Sequence, residues 1–188
     1  MKILGVGLSR TGTLSLCEAL GVLGFNAIHW EPERLRDVIF GDDPCPSFDR
    51  YDDVDAVTDL PASVFYDEIK EAYPDCRFIL TTRDEDSWYE SVRYHYDVRV
   101  PRDMKDKPLL LSEARATQSY VYGSVEPIEF LYKKRFKDHQ KLVLSKYPET
   151  LVMDIVGGDG WDILCEYLNL PVPDIPFPLR NKSLPLPL

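Results

Sequence analysis

Ile3-Leu4-Gly5-Val6-Gly7-Leu8-Ser9-Arg10-Thr11-Gly12-Thr13-Leu14 is the stretch that decides the fold. Ile3 to Gly7 is a short apolar run ending in glycine, the composition of a buried parallel strand that feeds straight into a loop. Leu14, Leu16, Cys17, Leu20 and Leu23 then recur at helical spacing, and Gly24 is placed to end the helix. Strand, glycine-containing loop and helix in that order make an anion cradle, because backbone N–H groups converge where the helix N-terminus adds partial positive charge. Gly7-x4-Gly12 has the glycine spacing of nucleotide-hydrolase loops, yet Thr13 and Leu14 stand where the phosphate-contacting lysine and the magnesium-binding hydroxyl belong. Arg10 moves the positive charge toward the loop tip instead. Taken alone, such a loop also occurs as an ordinary strand-to-helix turn.

Outward from this unit the pattern repeats. Asn26 to Trp30, Ala56 to Thr58, Arg77 to Thr82 and Thr150 to Val156 read as further strands. Helices are expected from about Ala62 to Ala72, from Asp84 to Tyr96, in two pieces between Pro108 and Lys146 broken near Gly123, and from Trp161 to Leu168. The stretch from Gly41 to Asp53 reads as a loop, and the proline-rich tail at 171–188 as an extended surface segment. Alternating strands and helices imply an α/β fold with a parallel sheet covered on both faces, and ligands in such sheets sit beyond the C-terminal strand ends.

The 188 residues suffice for one domain spanning the chain, with one sizeable core. A formal charge of −10 repels nucleic acid and anionic membrane at long range, so an anionic ligand needs a local site. Cys17, Cys45, Cys76 and Cys165 have no metal-type or redox spacing and read as free thiols. With no signal-peptide core and no apolar run approaching the roughly 20 residues of a membrane helix, the expectation is a soluble, cytoplasmic protein without a membrane span.

At the end of Phe78-Ile79-Leu80 the chain reads Thr81-Thr82-Arg83-Asp84-Glu85-Asp86-Ser87-Trp88-Tyr89-Glu90-Ser91. Here the sequence resembles the PAPS-dependent sulfotransferases, whose first loop reads Lys/Arg-Ser/Thr-Gly-Thr and whose second pairs an arginine with a serine eight positions later. Arg10-Thr11-Gly12-Thr13 and Arg83 with Ser91 match both, and Thr58-Asp59-Leu60-Pro61 matches a family Thr-His-Leu-Pro with Asp59 in the place of the catalytic histidine. Gly158-Asp159-Gly160-Trp161 and Pro176-Phe177-Pro178 extend the likeness, to a small sulfotransferase-like branch, over nearly the whole chain. The resemblance implies a P-loop-containing nucleotide-binding fold, with PAPS as donor and no metal. Donor-site residues on that basis are Ser9, Arg10, Thr11, Gly12, Thr13, Leu14 and Ser15 toward the 5′-phosphosulfate, and Arg83 and Ser91 toward the 3′-phosphate. Ser15 stands where a family tryptophan stacks on adenine, which leaves the adenine partner open. The family's basic, glycine-rich tail segment is not evident, and Arg180 and Lys182 are the only nearby charges offered in its place.

Sulfuryl transfer is an in-line displacement, so Arg10 is expected to stabilise charge and a base to take the acceptor proton. Asp59 matches the family position, although it is equally placed to cap a helix opening at Leu60-Pro61. His29, at the end of the second strand, and Glu31 are the alternatives. His95 and His139 read as solvated or packing residues, and Trp88 and Tyr89 as core. The acceptor is a small molecule, carbohydrate or lipid, shaped by segments 41–53 and 97–125, with Tyr94, Tyr96, Tyr120 and Tyr122 as candidate walls; a homodimer is left open. Rival readings are a magnesium-dependent kinase or NTPase, and a sulfotransferase-like binder without catalysis.

Overall fold

A computed structural model describes residues 2–41 and 47–180; residues 42–46 of the expected loop, with Cys45, and 181–188 of the expected tail, with Lys182, lie outside the described residues. Five short strands, β1 (Ile3–Gly5), β2 (Ala27–His29), β3 (Ala56–Thr58), β4 (Arg77–Thr81) and β5 (Leu151–Met153), form a parallel sheet in the order β2-β3-β1-β4-β5. β1 sits at the centre, paired with β3 on one side and β4 on the other. The chain therefore reverses its direction of travel across the sheet at β1, and the crevice such a reversal opens lies at the C-terminal strand ends.

Strand alternation sorts the core into two layers. Leu4, Val57, Phe78 and Leu80 point to one face, against Tyr66 and Ile69 of α3 (Tyr66–Ala72) and Val143 of α7 (Glu129–Lys146). Ile3, Ala56, Ile79 and Met153 point to the other, against α1 (Thr13–Val22) and α8 (Trp161–Leu168). Each fully buried aliphatic side chain here contributes roughly 1.5–3 kcal/mol relative to exposure. A third cluster caps the strand ends: Trp88 and Val92 of α4 (Glu85–Tyr94) pack with Val121 and Tyr122 of α6 (Pro108–Tyr122) and Phe136 of α7. Trp88 stacks on Phe136 with ring centroids 4.2 Å apart. Trp88 and Tyr89 are thus core, as their sequence suggests.

Two of the expected helices have different bounds. The helix expected from about Ala62 starts at Tyr66, because residues 59–65 close successive tight turns: Ser63 N–H donates to the Asp59 carbonyl, Val64 to Pro61 and Phe65 to Ala62. Asp59 therefore caps no helix. The helix after β4 ends at Tyr94 and continues as one π turn, His95–Arg99, into the short α5 (Val100–Asp103). Val100 N–H reaches back to the His95 carbonyl. Pro101 lacks an N–H for the Asp97 carbonyl and its ring crowds that oxygen, which favours the wider turn. Among the described residues no helix is long and apolar enough to cross a membrane, and Cys17, Cys76 and Cys165 are free and buried.

Candidate active site

The loop after β1 is locked from two sides. Thr11 Oγ donates to the Leu8 carbonyl at 2.7 Å and lies 2.6 Å from Thr81 Oγ, while Trp88 Nε1 donates to the Ser9 carbonyl at 3.0 Å. Gly7 permits the close approach of the two strand exits, since a Cβ there would come within 2.0 Å of Thr81 Oγ. Gly12 is the N-cap of α1 at φ 102°, and no side chain caps that helix, so its first amides face outward with their partial charge unanswered by a side chain.

Two guanidiniums flank the cradle, and both bond only neutral groups among the described residues. Arg10 Nε donates to Ser91 Oγ at 3.1 Å. Arg83 Nε donates to Ser87 Oγ at 2.5 Å, and its Nη1 reaches the Arg10 carbonyl at 3.4 Å. The expected Arg83–Ser91 pair is thus divided: Ser91 is buried and holds Arg10, and Ser87, one turn earlier, holds Arg83. Burial, then the charge of Arg99, lowers the pKa of Arg10 against the opposing pull of Asp59. Burial does the same to Arg83.

Asp59 is buried, with four hydrogen-bond contacts on its carboxylate. Ser9 Oγ (2.5 Å) and Leu60 N–H (2.7 Å) donate to Oδ1; Thr13 Oγ (3.1 Å) donates to Oδ2, which lies 3.0 Å from His29 Nε2. Burial alone would raise its pKa, but the His29 hydrogen bond and charge, followed by the Ser9 and Leu60 bonds, outweigh it and hold the carboxyl at about 2. A carboxylate so well satisfied is a weak base. With Nε2 turned to Asp59, Nδ1 is the ring nitrogen of His29 left to accept a proton.

A cavity of about 640 Å³ opens beyond the strand ends, lined by the loop, Arg83, His29 and Asp59. In comparison with known proteins, a model described as sulfotransferase domain matches residues 2–184. The chain belongs to the sulfotransferase domain family. It is also similar to Ava biosynthesis cluster protein M of Aspergillus versicolor, 27% identical over 212 aligned residues that cover 95% of this chain and 80% of that one.

Within this sulfotransferase domain, Ser9, Arg10, Gly12, Thr13, Leu14, Ser15, His29, Asp59 and Arg83 line the cavity. Thr11 and Ser91 stand behind it as supports for the loop and for Arg10. Glu31 precedes a 3₁₀ turn, Pro32–Leu35, outside the cavity wall. Sequence reasoning missed His95, which lines the cavity rather than lying on a solvated face. Its spacing from Trp88, Ser91 and Val92 on the buried stripe of α4 was the available signal. Of the four candidate tyrosines only Tyr96 reaches the cavity: Tyr94 is exposed, Tyr120 is exposed and stacks on Phe65, and Tyr122 is buried in the core. Segment 97–125 contributes walls, while the described residues of 41–53 contribute none. The tail also reaches the site: Arg180 N–H donates to Ser15 Oγ at 2.9 Å, its Nε pairs with Glu18 at 2.6 Å, and Leu179 lines the cavity beside it. The Arg180 charge is therefore already answered.

Proposed function

We propose that this protein is a PAPS-dependent sulfotransferase that passes a sulfuryl group to a hydroxyl or amine by in-line displacement. The observation that carries the reading is the pair of guanidiniums, Arg10 and Arg83, that among the described residues bond only neutral groups where α1 opens uncapped onto the cavity. In a chain of net charge −10, two such cations on one wall suit an anion with separated phosphate groups. The donor supplies a sulfonate joined to a 5′-phosphate and a second phosphate at the 3′ position. Arg10 and the amides of residues 11–13 face the sulfonate and 5′-phosphate, and Arg83 faces the 3′-phosphate. The new acceptor–sulfur bond forms as the bond from sulfur to the 5′-phosphate oxygen breaks, and Arg10 neutralises the charge on the leaving oxygen. His29 accepts the acceptor's proton at Nδ1, while Asp59 fixes the ring and stabilises the imidazolium that results.

His29→Ala should lower kcat by about 10²–10⁴-fold while leaving the affinity for 3′,5′-bisphosphoadenosine unchanged. The overall reading is tested by calorimetric titration of that bisphosphate and of ATP with magnesium, with and without EDTA, together with transfer of labelled sulfate from PAPS into a pooled metabolite extract. Preference for ATP-magnesium would sink it. Tight bisphosphate binding without any transfer would favour a non-catalytic binder.

A further inference from the structure

The two ends of the cavity differ in chemistry. Toward β4 and β5 its walls are Leu14, Ser15, Arg83, Ile155 and Leu179. Toward β2 and β3 they are Trp30, Tyr96, Val100, Met104, Ala114 and Thr117. This second end is made by the segment from the π turn through α6, which interrupts the strand–helix alternation. That segment is tied down over the β2–β3 side, where Glu113 pairs with Arg36 of α2 (Arg36–Phe40) and Tyr120 stacks on Phe65 at 5.3 Å.

Its polar groups are few and mostly engaged. Arg99 meets Asp103 at 3.5 Å, a carboxylate that Arg102 also pairs at 2.9 Å. His95 is the exception. Its ring lies edge-on to Tyr96 at 4.9 Å, and its Nδ1 is buried without a hydrogen-bond partner among the described residues. The ring is only partly buried, so its remaining edge is the part available to the cavity. A buried lone pair without a partner is tolerated better than a buried N–H without one, which assigns the single proton of the neutral ring to Nε2.

Building on the sulfotransferase reading above, we propose that the acceptor is an apolar alcohol or phenol bound in this end, its hydroxyl oxygen oriented by a hydrogen bond from His95. The charged groups acting on His95 are Arg10, Asp59, Arg99 and Asp103. Burial, then Arg10, pushes its pKa down to about 4, which leaves the ring neutral and donating at ordinary pH. The division of labour with His29 follows: one ring holds the oxygen and the other takes its proton. A sugar would bring several hydroxyls against walls of Val100, Met104 and Ala114, whose side chains offer them no partners.

The test uses protein saturated with 3′,5′-bisphosphoadenosine and titrated with 2-naphthol, naphthalene and methyl β-glucoside. The expected result is saturable 2-naphthol binding about tenfold tighter than naphthalene, with no saturation by the glucoside over the same range. His95→Phe should erase the preference for naphthol over naphthalene, and His95→Gln, which keeps a donor, should retain most of it, both with bisphosphate affinity within about twofold of the parent. Equal or tighter glucoside binding, no naphthol binding to the loaded protein, or a preference that survives in His95→Phe overturns the proposal. The wild-type comparison stands even where the Phe variant fails to fold. Failure of the bisphosphate itself to bind would instead overturn the donor reading.

Discussion

Arg83 and Ser91 stand eight positions apart, and their side chains bond different partners, Ser87 for Arg83 and Arg10 for Ser91. Arg83→Ala should weaken 3′,5′-bisphosphoadenosine by about tenfold or more and leave adenosine 5′-monophosphate nearly unaffected, as titration of both ligands would reveal. Ser91→Ala frees Arg10, so it should weaken both ligands by similar factors; a loss confined to the 3′-phosphorylated ligand would restore the Arg83–Ser91 pair. Asp59 carries a second expectation. Its folded pKa of about 2 lies below the ordinary 3.8, so its stabilisation is complete above about pH 4 and disappears as pH falls through 2. The contribution is about 2 kcal/mol. Urea unfolding at pH 6 and pH 3 should show part of this loss in the parent and little of it in Asp59→Asn. The position of Asp59 on the cavity wall was legible from its place after β3, but its partners were not. Sequence spacing does not reveal that Ser9, Thr13 and His29, from two other strand ends, converge on one carboxylate.

At the scale of elements, the strands were the most legible part, because apolar runs as short as Ala56–Thr58 are bounded by polar residues on both sides. α8 likewise has the expected bounds, with Asn169 at φ 57° ending it. The start of α3 and the π turn were not legible. Residues 62–65 have ordinary helical composition and are diverted by turns that Asp59 and Pro61 anchor, and His95–Arg99 differs from an α-helix only through the constraint at Pro101. The exposure of His95 to the cavity depends on how α5 and α6 fold back, which no local pattern contains. α1 supplies the prediction at this scale. Gly12 holds φ 102°, and an added Cβ would approach Ile155 Cβ to 3.1 Å. Gly12→Ala should therefore cost about 1–2 kcal/mol in thermal or urea unfolding and also weaken bisphosphate binding, since the strain falls on the amides at the mouth of α1. A normal affinity in that variant would show that the cradle tolerates displacement.

Across the whole molecule, the sheet divides the labour of the site. The β4–β5 side and the tail form one wall of the cavity, the segment after α4 forms the opposite one, and the central loop after β1 lies between. Trp161 organises the approach of the tail: its Nε1 donates to the Ile175 carbonyl at 2.7 Å and Phe177 packs on its ring, which directs Arg180 to Ser15 and Glu18. Proteolysis can read this seating. Trypsin cleaves after arginine, and to accept Arg180 it must draw both its backbone N–H away from Ser15 and its side chain away from Glu18. Cleavage after Arg180 should consequently report how often the strap lifts, and saturating bisphosphate should slow it several-fold relative to an exposed arginine such as Arg102, followed by mass spectrometry. Equal rates at the two sites, with or without ligand, would mean that the strap rests on the rim without closing it. A serine on the first helix would in that event be only a resting place for the chain, and in the other a latch whose release a protease can time.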